Sequence, residues 1–248
     1  MDQRQVHILH GVAASAGIAI GKAVIMDTRK IERYPKIRIT ESLLADEIKR
    51  FDDAVKISEK QIREAMGELE THNVGKEHSF ILETHMMMLT DPALSGRVRE
   101  LITAEHINAE WALKTALLEI EKNFESIGDE YIKSRVADTT FVGERLLRNL
   151  IGKKTSGCRL LDNSIIVAHD LSPADTAMLN REKILGFATD VGGMTSHTSI
   201  IAHSLEMPAV VGLGNASALI NPGDNVILDG ISGVVIVNPS ENQVLEYE

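Results

Sequence analysis

The sequence predicts a discontinuous α/β domain interrupted by an all-α helical bundle. Three observations support this. Residues 8–26 are sheet-like, about 110 residues from Thr40 onward keep the helical period, and short Ile- and Val-rich runs return after Gly157. Sheet, helices and sheet again are hard to pack around one core. Residues 1–39 and 153–240 are therefore assigned to one α/β domain and residues 40–152 to an inserted helical subdomain, with 241–248 as a tail.

Ile8 to Met26 is rich in Ala, Ile, Val and Gly and reads as one or two strands, with a glycine-bearing turn at Ser15-Ala16-Gly17. Thr40 is placed to cap a helix in which Leu44, Ile48, Phe51, Val55, Ile62 and Leu69 recur at steps of three, four or seven. A second helix is expected over Lys76 to Leu89. Asp91-Pro92 supplies a capping side chain and a proline suited to the first position of a third. Asn108 is read as the cap of a fourth helix, and a fifth, carrying Ile132, Val136, Leu146, Leu147 and Leu150, ends near Gly152. Strands are then expected at Ser164 to Ala168, Ile184 to Thr189, Ala209 to Val211, Val226 to Leu228 and Val234 to Val237. Ser172-Pro173-Ala174-Asp175 has the form of a capping box with proline at the first helical position, so a short helix should run from there through Met178. Another should begin near Ser196.

The 248 residues include 26 Lys and Arg against 36 Asp and Glu, a net charge of −10. That sign repels phosphate backbones, so nucleic acid is not an expected partner. The excess is concentrated in residues 40–151, with 22 acidic against 14 basic side chains, where a basic protein would be drawn. No stretch of 18 apolar residues offers a membrane span, and the N-terminus lacks the pattern of an export signal. The lone Cys158 cannot close an intrachain disulfide, which agrees with a cytoplasmic protein.

The densest polar cluster in an apolar stretch is Asp190-Val191-Gly192-Gly193-Met194-Thr195-Ser196-His197-Thr198-Ser199-Ile200-Ile201-Ala202-His203. Two glycines after a strand permit a tight turn, and the helix that follows presents backbone N–H groups to an anion. His197 stands at that helix start, a neutral imidazole able to act as nucleophile. Gly193, Thr195, Ser196, Thr198 and Ser199 could stabilise phosphate oxygens beside it. Alternatively His197 is an ordinary first-turn histidine whose hydroxyl neighbours only cap the helix.

The run Gly192 to Ala202 resembles the active-site signature of phosphoenolpyruvate-utilising enzymes, and Leu205-Glu206-Met207-Pro208-Ala209-Val210-Val211-Gly212 continues the likeness. Within that superfamily, Asp170 to Ala177, Leu185-Gly186-Phe187 and the Gly11 to Gly21 segment are most similar to Enzyme I of the bacterial sugar phosphotransferase system. The resemblance implies a swivelling phosphohistidine domain with an inserted HPr-binding helical subdomain. It further implies that His197 is phosphorylated at Nε2 from phosphoenolpyruvate and passes the group to a histidine of HPr. Thr176 then matches the threonine that orients the imidazole, the role assigned to it here; the alternative on the residues alone is a bond to its own helix backbone. Glu77, Phe80, Glu83, His85 and Leu89 match the HPr-docking helix, although Met86 to Leu89 could instead fill a core. The phosphoenolpyruvate and Mg2+ site would belong to a C-terminal barrel reached through a linker starting at 241–248. No cofactor or metal is thus expected on this chain, which should be a monomer, the full-length enzyme being a homodimer through the barrel. Phosphorylated HPr, but not phosphoenolpyruvate alone, should label it.

Some residues depart from the family pattern. His203 and Met194 stand where arginines are usual, and histidine cannot hold a phosphate with two parallel bonds. Ser15-Ala16-Gly17 replaces the usual Ser-Pro-Gly. Gly17-Ile18-Ala19-Ile20-Gly21-Lys22-Ala23 resembles a P-loop but is one residue short and lacks the hydroxyl after lysine. His78, His85 and His203 are read as solvated or partner-facing, since no carboxylate or cysteine completes a metal site. Competing readings are a dikinase or phosphoenolpyruvate synthase mobile domain, a nitrogen-branch paralogue, and a protein-binding module without phosphotransfer.

Overall fold

The computed structural model describes residues 6–26, 34–71, 76–125, 130–152, 163–179 and 183–247. The chain divides into two units, one drawn from Met1–Arg29, Glu68–His78 and Gly157–Glu248, the other from Lys30–Gly67 and Ser79–Ser156. In chain order the elements are β1 (His7–His10), β2 (Val12–Ser15), β3 (Ile18–Met26), α1 (Leu44–Thr71), α2 (Lys76–Thr90), α3 (Arg97–Glu105), α4 (Ala109–Glu125) and α5 (Glu130–Leu150). There follow β4 (Ser164–Ala168), α6 (Pro173–Ala177), β5 (Ile184–Thr189), α7 (His197–Ser204), β6 (Ala209–Val211), α8 (Ala216–Leu219), β7 (Asn225–Asp229), β8 (Val234–Val237) and α9 (Glu241–Tyr247).

In the first unit all eight strands join one mixed sheet in the order β1-β8-β7-β3-β4-β5-β6-β2. The middle, β3 to β6, is parallel, and each flank is antiparallel. Between β1 and β2, which occupy opposite edges of that order, lies the single residue Gly11. The sheet must therefore curl until its edges meet, and glycines line the seam because nothing larger fits. A Cβ on Gly11 would come 2.5 Å from the Val211 carbonyl oxygen, and one on Gly230 2.0 Å from that of Ser15. The Gly11 N–H donates to the Gly233 carbonyl at 2.9 Å, extending the β1–β8 pairing to the point where the chain passes into β2. Ala19, Ile165, Val167, Ala188, Val210, Val226, Leu228 and Val235 fill the core of this unit. α7 packs on β2, β6 and α6, and α8 on β4 and β5.

The apolar stripe read from Leu44 onward forms α1, with Phe51, Val55, Ile62 and Leu69 buried. In the helical unit Asp91 caps a π-helical turn, Pro92–Gly96, by accepting from the Ala93 N–H at 2.8 Å. This turn leads into α3. Asn108 stands directly before α4, but its side chain accepts from the Ile37 N–H at 2.9 Å instead of capping. The helix start is served by Glu47 of α1, which accepts from the Ala109 N–H at 2.6 Å. Arg50 secures that corner, bonding Glu47, both oxygens of Glu110 at 2.8 Å and the Leu150 carbonyl at 3.0 Å. Ile37 and Ile39 bond Asn108 and His106, so residues 36–39, placed with the sheet on sequence, belong to the helical unit. The short helix α8 lies between β6 and β7, and α9 occupies the stretch read as the beginning of a linker. Cys158 and the turn into the second sheet segment lie outside the described residues.

Candidate functional site at the carboxyl ends of the parallel strands

The parallel pairing of β3 through β6 brings the carboxyl ends of β4, β5 and β6 to one edge, where open α/β sheets place their ligand sites. Residues 169–172 follow β4, 190–196 follow β5, and 212–215 follow β6. Backbone bonds tie these loops together. The Val191 N–H donates to His169 at 3.1 Å and the Gly214 N–H to Asp190 at 2.8 Å.

His197 is the first residue of α7 and is half-buried. Gly192 holds a φ of 116°, a conformation open to glycine, so the chain turns sharply there before the helix. Gly193 needs no such freedom; its carbonyl accepts from the Ser196 N–H at 3.0 Å and the Ser199 hydroxyl at 2.7 Å. Ser196 is the N-cap, accepting from the Ser199 N–H at 3.3 Å, and its hydroxyl meets that of Ser199 at 3.0 Å. Thr198 is buried and its hydroxyl donates to the Leu171 carbonyl at 3.1 Å. The hydroxyl protons of Thr198 and Ser199 are thus committed to holding the turn, while Thr195 is exposed. His203 is exposed in the last turn of α7, six residues and about 9 Å along the axis from His197.

Thr176 lies fully buried in α6, which the Ser172 capping box begins as expected, with Asp175 N–H to Ser172 Oγ at 3.1 Å. Its hydroxyl donates to the Ser172 carbonyl at 3.0 Å, the local bond foreseen as an alternative. The proton is spent, and the oxygen keeps lone pairs with which to accept.

Two groups at this edge escaped the sequence reading of function. His169 Nδ1 lies 3.1 Å from Asp190 Oδ2, and the Asp190 side chain is 1% exposed. That carboxylate also accepts from the Ser217 N–H at 2.8 Å and from the Ser217 hydroxyl. Next to His169, burial pushes the Asp170 carboxyl up to about 6, although the Leu171 N–H and the His169 ring pull the other way. No lysine or arginine occurs in 184–248, so backbone N–H groups, hydroxyls and histidines are what this edge offers an anion.

On α2, Phe80 is 58% and Met87 62% exposed, and Glu83 is exposed on the same face. The reading of His85 as solvated or partner-facing is corrected. Its ring is 2% exposed, 3.2 Å from Asp138 Oδ1 and stacked at a tilt near Phe141. Leu89 is fully buried as well, because positions 82, 85 and 89 share the inward face of the helix. The side chains of Glu77 and His78 lie outside the described residues. Among the described residues no group of three or more His, Cys, Asp or Glu could hold a metal ion, and no helix is long and apolar enough to cross a membrane.

Residues 10–135 match the family model of the PEP-utilising enzyme N-terminal region, and residues 160–233 that of the PEP-utilising enzyme mobile domain. Phosphoenolpyruvate-protein phosphotransferases of Geobacillus stearothermophilus and of Bacillus subtilis (strain 168) are each 41% identical to this chain over 244 residues, 97% of it. The chain spans 41% and 42% of those two relatives. A solution NMR structure of an Enzyme I protein (nEIt) superposes with a TM-score of 0.76 at 43% identity, over 96% of either chain. The N-terminal domain of a nitrogen Enzyme 1 shares the fold, with a TM-score of 0.67 at 24% identity over 96% of this chain and 97% of that one. With both family models matched in order and a solved Enzyme I covered nearly end to end, the chain belongs to the Enzyme I family of phosphoenolpyruvate-protein phosphotransferases.

Proposed function

We propose that this chain carries a phosphoryl group on His197 and exchanges it with a histidine of a small HPr-type phosphocarrier. The observation that carries the reading is the placement of His197: half-buried, first in α7, after a glycine turn, at the carboxyl ends of three parallel strands. In the transfer, the lone pair of the neutral imidazole attacks phosphorus as the donor's P–N bond breaks, and Nε2 is the assigned acceptor atom. Such a reaction asks mainly for positioning and charge stabilisation. The start of α7 offers N–H groups to the phosphoryl oxygens, and Thr195 a hydroxyl. Ser196, Thr198 and Ser199 act by fixing the turn. Thr176, whose proton goes to Ser172, would accept from an imidazole N–H of His197 and leave the other ring nitrogen as nucleophile.

The carrier is assigned to the exposed α2 face of Phe80, Glu83 and Met87, within a unit whose acidic excess suits a basic partner. For the whole enzyme, phosphoenolpyruvate is the first donor and a cytoplasmic setting is assigned. A barrel of the longer protein would bind phosphoenolpyruvate with Mg2+. The described residues do not fit a metal, so no step here runs through one.

Intact mass after incubation with phosphorylated HPr tests the reading. One acid-labile phosphoryl group should be gained by the wild type and none by His197→Ala; an unchanged gain in the variant would overturn it.

A further inference from the structure

We infer that His169 is a positioning residue for His197, acting through the buried carboxylate of Asp190. This deepens the function proposed above and rests on it for its kinetic arm only. Asp190 is the last residue before the turn that starts α7, and it is almost wholly removed from water. A carboxylate so placed needs donors in full. Ser217 supplies its N–H and hydroxyl from the start of α8, and the Nδ1–H of His169 supplies a bond from the loop after β4 at 3.1 Å. The backbone repeats the same connection, with the Asp190 N–H donating to Ala168 and the Val191 N–H to His169, each at 3.1 Å. Asp190 therefore joins the loops that follow β4, β5 and β6, since the Gly214 N–H binds its carbonyl.

The loop after β4 meets α7 a second time through the bond from Thr198 to Leu171. His197 is thus held on both sides. Upstream, the His169–Asp190 bond anchors the loop entering its turn; downstream, Thr198 anchors the first turn of its helix. Loss of the imidazole removes one of the bonds that hold a buried carboxylate and weakens the upstream anchor. A displacement of about 1 Å at a reacting group can cost on the order of 100-fold in rate. With its proton on Nδ1 the ring donates to the carboxylate whether it is neutral or charged, so the requirement is for a donor at that point and not for a charge. Asparagine offers an N–H where Nδ1 stands; leucine fills volume and offers none.

The test compares His169→Ala, His169→Leu and His169→Asn with wild type in two measurements. In the first, the rate of phosphoryl uptake from phosphorylated HPr should fall about 10-fold in the alanine and leucine variants. The asparagine variant should stay within about threefold of wild type. In the second, nitrogen-detected NMR of the His197 ring should show altered shifts in the alanine and leucine variants and wild-type shifts in the asparagine variant. Circular dichroism should be the same for all four proteins. A leucine variant with wild-type rate and ring shifts, or an asparagine variant as impaired as alanine, overturns the inference. If wild type itself takes up no phosphoryl group, the functional reading fails, and the ring shifts alone decide the role of His169.

Discussion

Asp170 shows how one buried carboxyl becomes measurable. Burial raises its pKa from an unperturbed 3.8 to about 6, so the native carboxyl binds its proton more tightly than the unfolded one. The stability it contributes is fully present below about pH 4 and is lost as the pH rises through about 6. Asp170→Asn should therefore be more heat-stable than wild type at pH 8, by about 2 kcal/mol or about 4–8 °C in Tm, with the gap closing toward pH 4. Equal midpoints at pH 8 would refute the assignment. Neither Asp170 nor the His169–Asp190 pair was legible as a unit in the sequence. The pair lies 21 residues apart in the loops after two different strands, and periodicity reports only on neighbours along one element. His197 was legible because its glycines, N-cap and hydroxyls are contiguous with it.

Helix α2 carries the same lesson one level up. Its sequence marks a helix plainly, yet Phe80, Glu83, His85 and Leu89 were assigned to one docking surface, and the structure separates them. Steps of three and four from Phe80 reach Glu83 and Met87 on the exposed face, whereas Leu82, His85 and Leu89 turn inward, His85 toward Asp138 and Phe141. Met87→Ala and Phe80→Ala should each raise KM for phosphorylated HPr about 10-fold and leave kcat within about twofold. Steady-state transfer kinetics check this; an unchanged KM in both variants removes the carrier from this face. Where local chemistry decides an element, the sequence reading holds. Ser172-Pro173 and Ser196 begin α6 and α7 where their capping residues predict. Asn108 begins α4 in position only, because Glu47, 62 residues away, makes the bond a cap would make.

Over the whole first unit, the topology turns on closure. Gly230→Ala places a methyl group 2.0 Å from the Ser15 carbonyl oxygen, between backbones that cannot move independently. It should cost about 3 kcal/mol or more in denaturant unfolding. Gly67→Ala, on α1 with open space around its Cβ, should instead add about 0.5–1 kcal/mol. The two substitutions are chemically identical, so opposite signs would report the seam itself; a harmless Gly230→Ala would mean the edges do not meet as described. By itself the sequence determined the fold class, the order and limits of most strands and helices, and His197 as the reactive candidate. The elements follow from propensity, capping and hydrophobic period, which act within a few residues, and His197 from a contiguous motif that resembles a family signature. Only the tertiary structure decided that the sheet curls on glycines, that residues 36–39 join the helices, that His85 is interior, and that Asp190 gathers three loops behind His197. Those outcomes depend on which distant groups exclude water from one another, and burial of that kind exists only once the chain has closed on itself.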